Sequence, residues 1–321
     1  MNKKIKIPET ELSLCSVGLG AAGAGIYWDG ADADYLIDTY LDMGGNFIDS
    51  ARIYSDWIPP EIGRSERVIG DWIKRSGKRN HVILSTKGGH PKLSASGKND
   101  MHVSRMTRED MRYDLELSLK ALGIDTIDIY FYHRDNRAQS VEEEIETMER
   151  FRREGKIRYY GCSNWEADRI VEADQYCREM GYRGFVADQA LLNMGSEYMK
   201  PLADDTMVSI KDKLYDYHKK NPGNLAMPYM GVASGFFHHY LEKGVESVKN
   251  SPYYTDNNLK AAERCRMLVE KYHASVSQIV LGFFSQQPFL CAHLYGAKSA
   301  EQIKDAMGVL EIDFCPGDYT F

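Results

Sequence analysis

Four polar side chains stand at, or just after, the ends of three short apolar segments of this chain of 321 residues. Asp49 and Tyr54 follow the first segment, Lys87 ends the second and His133 ends the third. A tyrosine is a weak acid with a pKa of about 10, and a neighbouring ammonium group lowers that pKa by stabilising the phenolate. We therefore expect Lys87 to lower the pKa of Tyr54, and Asp49 to hold Lys87 in place and protonated.

Such a set of groups is suited to protonating an oxygen atom on which negative charge develops. Tyr54 would be the acid, while His133 would donate a hydrogen bond to a carbonyl oxygen and orient it. Each residue alone also has an ordinary structural interpretation, because most tyrosines pack against other side chains and a lysine at a strand end is usually solvated. The order of the four residues along consecutive segments is what indicates chemistry.

The four side chains can meet only if the segments that carry them are neighbouring parallel strands. Short segments rich in β-branched and aromatic residues alternate with helical stretches along the whole chain. The predicted strands are 14–19, 46–50, 81–87, 126–133, 157–163, 184–189, 224–230 and 289–296. The predicted helices are 32–43, 65–75, 107–122, 140–153, 166–180, 206–219, a long region within 258–286, and 299–310. Strict alternation implies parallel strands joined by right-handed crossovers, whose carboxyl ends share one face.

We therefore predict an α/β fold, a single (β/α)8 TIM barrel that comprises residues 1–321. Residues 5–13 are expected to form a short N-terminal hairpin that covers the floor of the barrel. Long insertions at 88–106, 190–205 and 233–257 follow the third, sixth and seventh strands. They would extend the loops of the C-terminal face, where barrel enzymes build their active sites.

The glycine pattern at residues 18–23 offers an alternative fold. The sequence there reads Gly-Leu-Gly-Ala-Ala-Gly, and GxGxxG after a strand is typical of open sheets that bind dinucleotides. In those sheets the third glycine opens a helix that holds the pyrophosphate. Here Gly25 and Gly30 follow, and helical periodicity begins only near Asp32. The sequence therefore favours the closed barrel.

Composition excludes several other classes of function. There are 40 Lys+Arg residues against 47 Asp+Glu, so the net charge of −7 leaves no basic surplus for nucleic acid or an anionic membrane. No apolar run approaches the roughly 20 residues that span a bilayer. The six scattered cysteines form no CxxC pair, which predicts reduced thiols and a cytoplasmic protein without a metal site. The expected partner is a small molecule, and the sequence does not indicate an oligomeric state.

Several motifs along the chain carry a resemblance to one enzyme family. They are Asn-Phe-Ile-Asp-Ser-Ala-Arg-Ile-Tyr at 46–54, Gly-Arg-Ser-Glu at 63–66, Ser-Thr-Lys at 85–87, the pattern D-L-x-x-S-L…L-G…D-x-Y…H-R within 114–134, and Gly-Cys-Ser-Asn-Trp at 161–165. Together they resemble the aldo-keto reductase family, and the likeness runs nearly from end to end. The family implies the same barrel that the alternation of strands and helices predicts.

The resemblance also implies an activity. It is the NAD(P)H-dependent reduction of an aldehyde or ketone, sugar-like substrates included, to an alcohol, or the reverse oxidation. Asp49, Tyr54, Lys87 and His133 would form the catalytic tetrad, with Tyr54 as the proton donor. The alternative is a family-like regulatory subunit that binds nicotinamide nucleotides with little turnover, and the intact tetrad speaks against it.

The family further implies which residues hold the cofactor. Ser163, Asn164 and Gln189 would bind the nicotinamide carboxamide, and Tyr229 would stack on the ring. Lys298 stands at the start of the last helix, where it and the helix N-terminus would bind a phosphate. NADP(H) is therefore expected in preference to NAD(H), although this turn lacks the arginine and asparagine that many members carry.

The substrate pocket cannot be inherited from the family, because residues 55–62 lengthen the loop after Tyr54. Trp28, Trp57 and Trp165 fall in predicted loops of the C-terminal face, and aromatic faces suit sugars and ring compounds. We expect these three side chains to contact the substrate. The insertion at 233–257 is long enough that we expect it to become ordered only when the cofactor binds.

Overall fold

The computed structural model describes residues 3–93 and 99–320, and within these ranges the chain forms ten strands and ten α-helices. The strands are Lys4–Lys6 (β1), Ser13–Cys15 (β2), Val17–Gly20 (β3), Phe47–Asp49 (β4), Ile83–Gly88 (β5), Ile127–Tyr132 (β6), Ile157–Ser163 (β7), Ala187–Gln189 (β8), Leu225–Ala226 (β9) and His293–Tyr295 (β10). The helices are Gly30–Asp42 (α1), Arg64–Ser76 (α2), Arg108–Leu122 (α3), Val141–Arg153 (α4), Ala167–Met180 (α5), Asp212–Lys220 (α6), Phe236–Lys243 (α7), Asp256–Tyr272 (α8), Val276–Gly282 (α9) and Ala300–Met307 (α10). Within the described ranges, no helix combines the length and the apolar character that crossing a membrane requires.

Strands β3 to β10 form one parallel sheet in the order β10-β3-β4-β5-β6-β7-β8-β9. Backbone hydrogen bonds join its two edges, since Ala226 N donates to Leu290 O and Ala292 N donates to Ala226 O, at 3.2 and 3.0 Å. The sheet therefore curves into a nearly closed barrel, and helices lie between successive strands. The predicted (β/α)8 barrel is confirmed.

The floor of the barrel is closed by the N-terminal hairpin. Strands β1 and β2 pair antiparallel, with Ile5 opposite Leu14. The hairpin side chains pack against apolar residues inside the barrel, in one cluster that includes Ile5, Ile7, Leu12, Leu14, Phe47, Ile129, Phe131, Leu225 and Leu294. Because apolar groups fill this end, polar groups of the interior can reach solvent only at the carboxyl ends of the strands.

Local signals place most helix ends where the sequence predicts them. The Thr107 hydroxyl accepts a hydrogen bond from Asp110 N at the start of α3, and the Ser140 hydroxyl accepts one from Glu143 N at the start of α4. Gly123 ends α3 in the left-handed conformation, which glycine adopts without steric cost.

The glycine pattern at 18–23 is not followed by a helix, and α1 begins only at Gly30. The first glycine of the pattern, Gly18, lies against the barrel interior, where an added Cβ atom would come within 2.6 Å of the Phe47 ring. Close packing inside the barrel, and not the binding of a pyrophosphate, therefore accounts for this glycine.

The insertions differ from their predicted structure. The helix predicted from Thr206 begins at Asp212, because Val208 and Ile210 instead form backbone hydrogen bonds with Leu191 just after β8. The insertion at 233–257 contains helix α7, whose Phe236 and Phe237 are buried, so it is not a structureless connection. Residues 94–98 of the insertion at 88–106 lie outside the described residues.

Two further predicted elements have different bounds. The strand predicted at 224–230 is reduced to β9, which has two residues. The helical region predicted within 258–286 is two helices, because His273 ends α8 in the left-handed conformation and Ser275 begins α9 with a capping box.

The Gly-Arg-Ser-Glu motif fastens α2 to the strands that carry the tetrad. The Ser65 hydroxyl donates to Ala21 O at 2.8 Å and lies 2.8 Å from the Ser50 hydroxyl. The neighbouring Glu66 carboxyl accepts a hydrogen bond of 2.6 Å from Thr86, the residue before Lys87 in β5. The motif therefore fixes the positions of β4 and β5 relative to each other from the outside of the barrel.

Glu66 makes the stability of the fold depend on pH. Burial raises the pKa of its carboxyl from 4.5 to about 7, so the folded chain keeps the proton at pH values where the unfolded chain has lost it. The free energy of unfolding should therefore fall as the pH rises from about 4.5 to about 7, by up to about 3 kcal/mol. Glu66→Gln should remove this part of the pH dependence, as measured by urea unfolding at pH 5 and pH 8. Glu109→Gln, on the exposed face of α3, is the control, and an unchanged pH dependence in Glu66→Gln would contradict the prediction.

Candidate active site

The carboxyl ends of the strands surround a cavity of about 160 Å³ at the open end of the barrel. Its walls are formed by Tyr54, Lys87, His133, Arg134, Ser163, Asn164, Gln189, Met207 and Tyr229. Asp49 is buried directly behind Lys87. The structure thus brings together the predicted tetrad and the four residues predicted to hold the nicotinamide.

The ammonium group of Lys87 has an acceptor for each of its three N–H bonds. It donates to Asp49 Oδ2 at 2.6 Å, to Ser50 O at 2.7 Å and to the Tyr54 hydroxyl oxygen at 3.0 Å. Burial opposes a charge on Lys87, but Asp49 and Tyr54 together outweigh this effect and raise the pKa of the ammonium group above its ordinary value. Lys87 therefore remains a cation although almost none of its surface reaches solvent.

Asp49 is held by three donors from two strands, β5 and β8. Besides Lys87, Ser85 Oγ donates to its Oδ1 at 2.6 Å, and Gln189 Nε2 donates to the same oxygen at 2.7 Å. These bonds orient the Asp49 carboxyl group, because each donor fixes the position of one of its oxygen atoms. They also fix the positions of β4, β5 and β8 around the centre of the site.

Backbone pairing places Tyr54 beside Lys87. Beyond the end of β4 the ladder continues, since Ser50 N donates to Ser85 O and Arg52 N donates to Lys87 O. The chain then turns, and Ser55 adopts a left-handed conformation with φ of 70°. Its hydroxyl donates to Ala24 O at 2.7 Å, which ties the turn to the loop after β3. The tyrosine is thus held by the strand of its lysine on one side and by a neighbouring loop on the other.

The pKa of Tyr54 is raised, because burial disfavours the phenolate more than the nearby ammonium of Lys87 favours it. Lys87 acts on the pKa of Tyr54 in the expected direction, but the net shift is upward because burial has the larger effect. The sequence reveals the charge beside the phenol but not the loss of solvent around it. At neutral pH the phenol keeps its proton.

His133 is a neutral imidazole in this site. Burial lowers its pKa well below the ordinary value, and the positive charges of Arg134 and Lys87 act in the same direction. Its Nδ1 is buried and has no hydrogen-bond partner among the described residues, so Nε2 is the nitrogen that can act in the cavity. The ring meets Tyr54 edge to face, with 5.8 Å between the ring centroids.

The residues predicted for the carboxamide form one connected network. Ser163 Oγ donates to Gln189 O at 2.9 Å, and Asn164 Nδ2 donates to Ser163 Oγ at 3.1 Å. The Tyr229 hydroxyl donates to Asn164 Oδ1 at 2.5 Å. These groups are the amide and hydroxyl donors and acceptors that an amide ligand requires, and the ring of Tyr229 forms one wall of the cavity.

None of the three tryptophans is among the residues that line the cavity, and two of them are buried elsewhere. Trp28 is buried and its indole N–H donates to Ala297 O, while buried Trp165 donates to Arg134 O and packs against Phe185. The expectation that they contact the substrate is corrected, because both indoles are used inside the protein. Trp57 is half exposed and meets the Tyr54 ring at 6.5 Å, so it remains the candidate.

Lys298 lies outside the cavity, at the start of α10. Its side chain is exposed, and its Nζ stands 4.7 Å above the centre of the Tyr27 ring. The adjacent Ser299 caps the helix by accepting a hydrogen bond from Gln302 N.

The sequence profile of the Aldo/keto reductase family matches residues 16–320. The chain belongs to this family. It is 28% identical to an aryl-alcohol dehydrogenase of Pestalotiopsis microspora, over 57% of this chain and 48% of that protein. It is 28% identical to the NADH-specific methylglyoxal reductase of Escherichia coli, over 99% of this chain and 96% of that protein. It is also 28% identical to an uncharacterized oxidoreductase of Bacillus subtilis, over 94% of this chain and 89% of that protein.

This aldo/keto reductase is an oxidoreductase that acts on carbonyl or alcohol groups, and members of its family use nicotinamide cofactors. Three residues at its site were not predicted. Arg134 and Met207 line the cavity, and the His90 ring meets that of His133 with 4.7 Å between centroids. Arg134 directly follows His133, so its position in the chain could have indicated it. His90 and Met207 follow the third and sixth barrel strands, and the sequence indicates only that these regions lie at the same face of the barrel.

The buried ion pair should dominate the stability of the site. Lys87→Met keeps an unbranched side chain, one atom shorter, but leaves the Asp49 carboxylate buried without its cation, which typically costs about 3–5 kcal/mol. We expect a correspondingly lower free energy of unfolding, measured by urea denaturation. Lys3→Met is the control, because the pair of Lys3 with Glu311 is exposed and should contribute little. Equal losses in the two variants would show that the Lys87–Asp49 pair has no special role.

Proposed function

We propose that this enzyme reduces an aldehyde or ketone to the alcohol, or catalyses the reverse oxidation, with Tyr54 as the proton donor. The direction of one hydrogen bond carries the proposal, since Lys87 Nζ donates to the Tyr54 hydroxyl oxygen at 3.0 Å. An ammonium group has donors only, so the phenolic hydrogen cannot point at Lys87. It is left for an oxygen atom of the substrate.

The surroundings of Tyr54 support its loss of that proton to an alkoxide. The phenolate that forms lies beside the Lys87 ammonium, and in this buried position their attraction is stronger than in water. Asp49 compensates the charge of Lys87 while the phenol is neutral. The raised pKa of Tyr54 keeps the neutral phenol present at neutral pH, so Tyr54 carries its proton before the reaction begins.

His133 would position the carbonyl group. As a neutral imidazole with Nδ1 buried, it would donate from Nε2–H to the same oxygen that Tyr54 protonates. Two donors then converge on one oxygen, which orients the carbon for reaction. The exposed face of Trp57 would contact the part of an aldehyde, ketone or sugar-like substrate that lies outside the cavity.

A bound nicotinamide cofactor supplies the hydride. The side chains at the site fit the carboxamide of that cofactor, because Ser163, Asn164 and Gln189 line the cavity with hydroxyl and amide groups that would hold it. Tyr229 offers a flat ring for the nicotinamide. Lys298 would hold a phosphate beside α10, which supports NADP(H) as the preferred form. The Escherichia coli relative is NADH-specific by name, so this preference must be measured on this chain.

Replacing Tyr54 tests the proposed acid. Tyr54→Phe should lower the rate of carbonyl reduction by about 10²–10⁴-fold, because general acid catalysis contributes in that range. Binding of NADPH or NADH, measured by fluorescence titration, should be retained. Tyr113→Phe, on the exposed surface of α3, is the control. If Tyr54→Phe reduces carbonyl compounds as fast as the unmodified protein, Tyr54 is not the proton donor. If the unmodified protein binds cofactor but turns over no aldehyde or ketone, the regulatory subunit is favoured instead.

Replacing Lys298 tests the cofactor preference. Lys298→Ala should raise the dissociation constant of NADPH about tenfold and change that of NADH little, because a charge-assisted contact to phosphate is worth roughly 1.5 kcal/mol. Lys304→Ala is a matched control, since Lys304 lies within α10, close to Lys298, and likewise stands above a tyrosine ring, that of Tyr35, at 5.2 Å. Equal effects on the two cofactors, or effects from Lys304→Ala alone, would refute the role of Lys298.

A further inference from the structure

Residues 204–208, here called the strap, belong to the connection between β8 and α6 and lie at the cavity, which Met207 helps to line. One end of the strap is held by Arg134, whose Nη2 donates to Asp204 Oδ2 and whose Nε donates to Thr206 Oγ1, each at 2.9 Å. Arg134 also donates to His133 O at 2.9 Å. The strap is thus fastened to the segment that carries the proposed carbonyl-positioning residue, and its Met207 side chain reaches the cavity wall.

The other end of the strap is held by the site itself. Val208 N donates to Asn164 Oδ1 at 3.1 Å, and Val208 O accepts a hydrogen bond of 2.8 Å from Leu191 N. Ile210 N returns a bond to Leu191 O, also at 2.8 Å. The bonds to Leu191 lie outside the cavity. The bond from Val208 N to Asn164 instead joins the strap to a residue of the carboxamide network.

Asn164 has no hydrogen-bonding capacity left. A side-chain amide has two N–H donors and two acceptor lone pairs. Its Nδ2 donates to His133 O at 3.2 Å and to Ser163 Oγ at 3.1 Å. Its Oδ1 accepts from Val208 N and from the Tyr229 hydroxyl. All four positions are therefore filled by the protein, and in this arrangement Asn164 cannot bind the carboxamide assigned to it.

We propose that the strap is a gate, and that residues 204–208 must release Asn164 before the nicotinamide carboxamide can bind there. This inference rests on the proposed function, in which Asn164 holds the carboxamide. The contacts of Arg134 with Asp204 and Thr206 set how often the strap is open, because they exist only while it is closed. The apparent affinity for the cofactor is then the intrinsic affinity reduced by the fraction of molecules with an open strap.

The gate predicts that weakening its anchor strengthens cofactor binding. In Asp204→Asn the charge that Arg134 pairs with is removed, and an ion pair of partly exposed side chains should shift the opening equilibrium by about fivefold. The dissociation constants of NADPH and NADH should fall by that factor. In stopped-flow fluorescence, the association rate should level off at high cofactor concentration, at a plateau that is higher in the variant. Asp205→Asn is the matched control. The carboxylate of Asp205 lies next to Asp204 in the chain, but it is exposed and pairs with His102 instead of Arg134.

Amide exchange gives a second readout that needs no variant. The Val208 N–H should exchange faster in the presence of saturating cofactor, since its acceptor Asn164 Oδ1 is then released, whereas ligands usually slow exchange near their site. Unchanged or weaker cofactor binding in Asp204→Asn, or slower exchange at Val208, would overturn the gate while leaving the proposed function in place. Failure of the unmodified protein to bind either cofactor would overturn both.

Discussion

A lysine ammonium group buried at the mouth of a barrel must find an acceptor for each of its N–H bonds, because an unpaired charge in the interior costs several kcal/mol. In this protein the acceptors of Lys87 come from Asp49, Ser50 and Tyr54, which all follow or end β4. The pairing of β4 with β5 therefore satisfies the buried charge of Lys87 as well as the backbone hydrogen bonds of the two strands. The same requirement holds the Tyr54 hydroxyl oxygen at 3.0 Å from the ammonium nitrogen and keeps the phenolic hydrogen from pointing at Lys87.

Burial acts in opposite directions on the two groups that would meet the substrate oxygen. It raises the pKa of Tyr54, whose charged form is the anion, and lowers that of His133, whose charged form is the cation. Both shifts favour the neutral, hydrogen-donating form at neutral pH. One physical cause, the removal of water from the end of the barrel, thus prepares two different side chains for donation to a single oxygen.

The insertions add contacts that the barrel itself does not require. Arg134 joins the end of β6 to Asp204 and Thr206, and Val208 binds Asn164. These bonds bring a segment that is distant in sequence onto the network of residues proposed to hold the cofactor. They also explain why α6 starts later than its sequence indicates, since residues that could begin a helix are used to cover the cavity.

The sequence by itself determined the barrel and the meeting of its polar strand ends. Alternation of strands and helices is a local pattern, and parallel strands must place their carboxyl ends on one face, so the proximity of Asp49, Lys87 and His133 follows without coordinates. Helix caps such as Thr107 are equally local, because the capping bond spans only three residues.

Only the tertiary structure decided how these residues are solvated and what else reaches them. The net direction of the pKa shift of Tyr54 depends on the balance of burial against a nearby charge, and burial is a property of the whole fold. The interior positions of Trp28 and Trp165, and the contact of Met207 with the cavity, depend on how long loops pack. Loops carry no periodic pattern that fixes their path, so their contacts with Asn164 become visible only when the chain is folded.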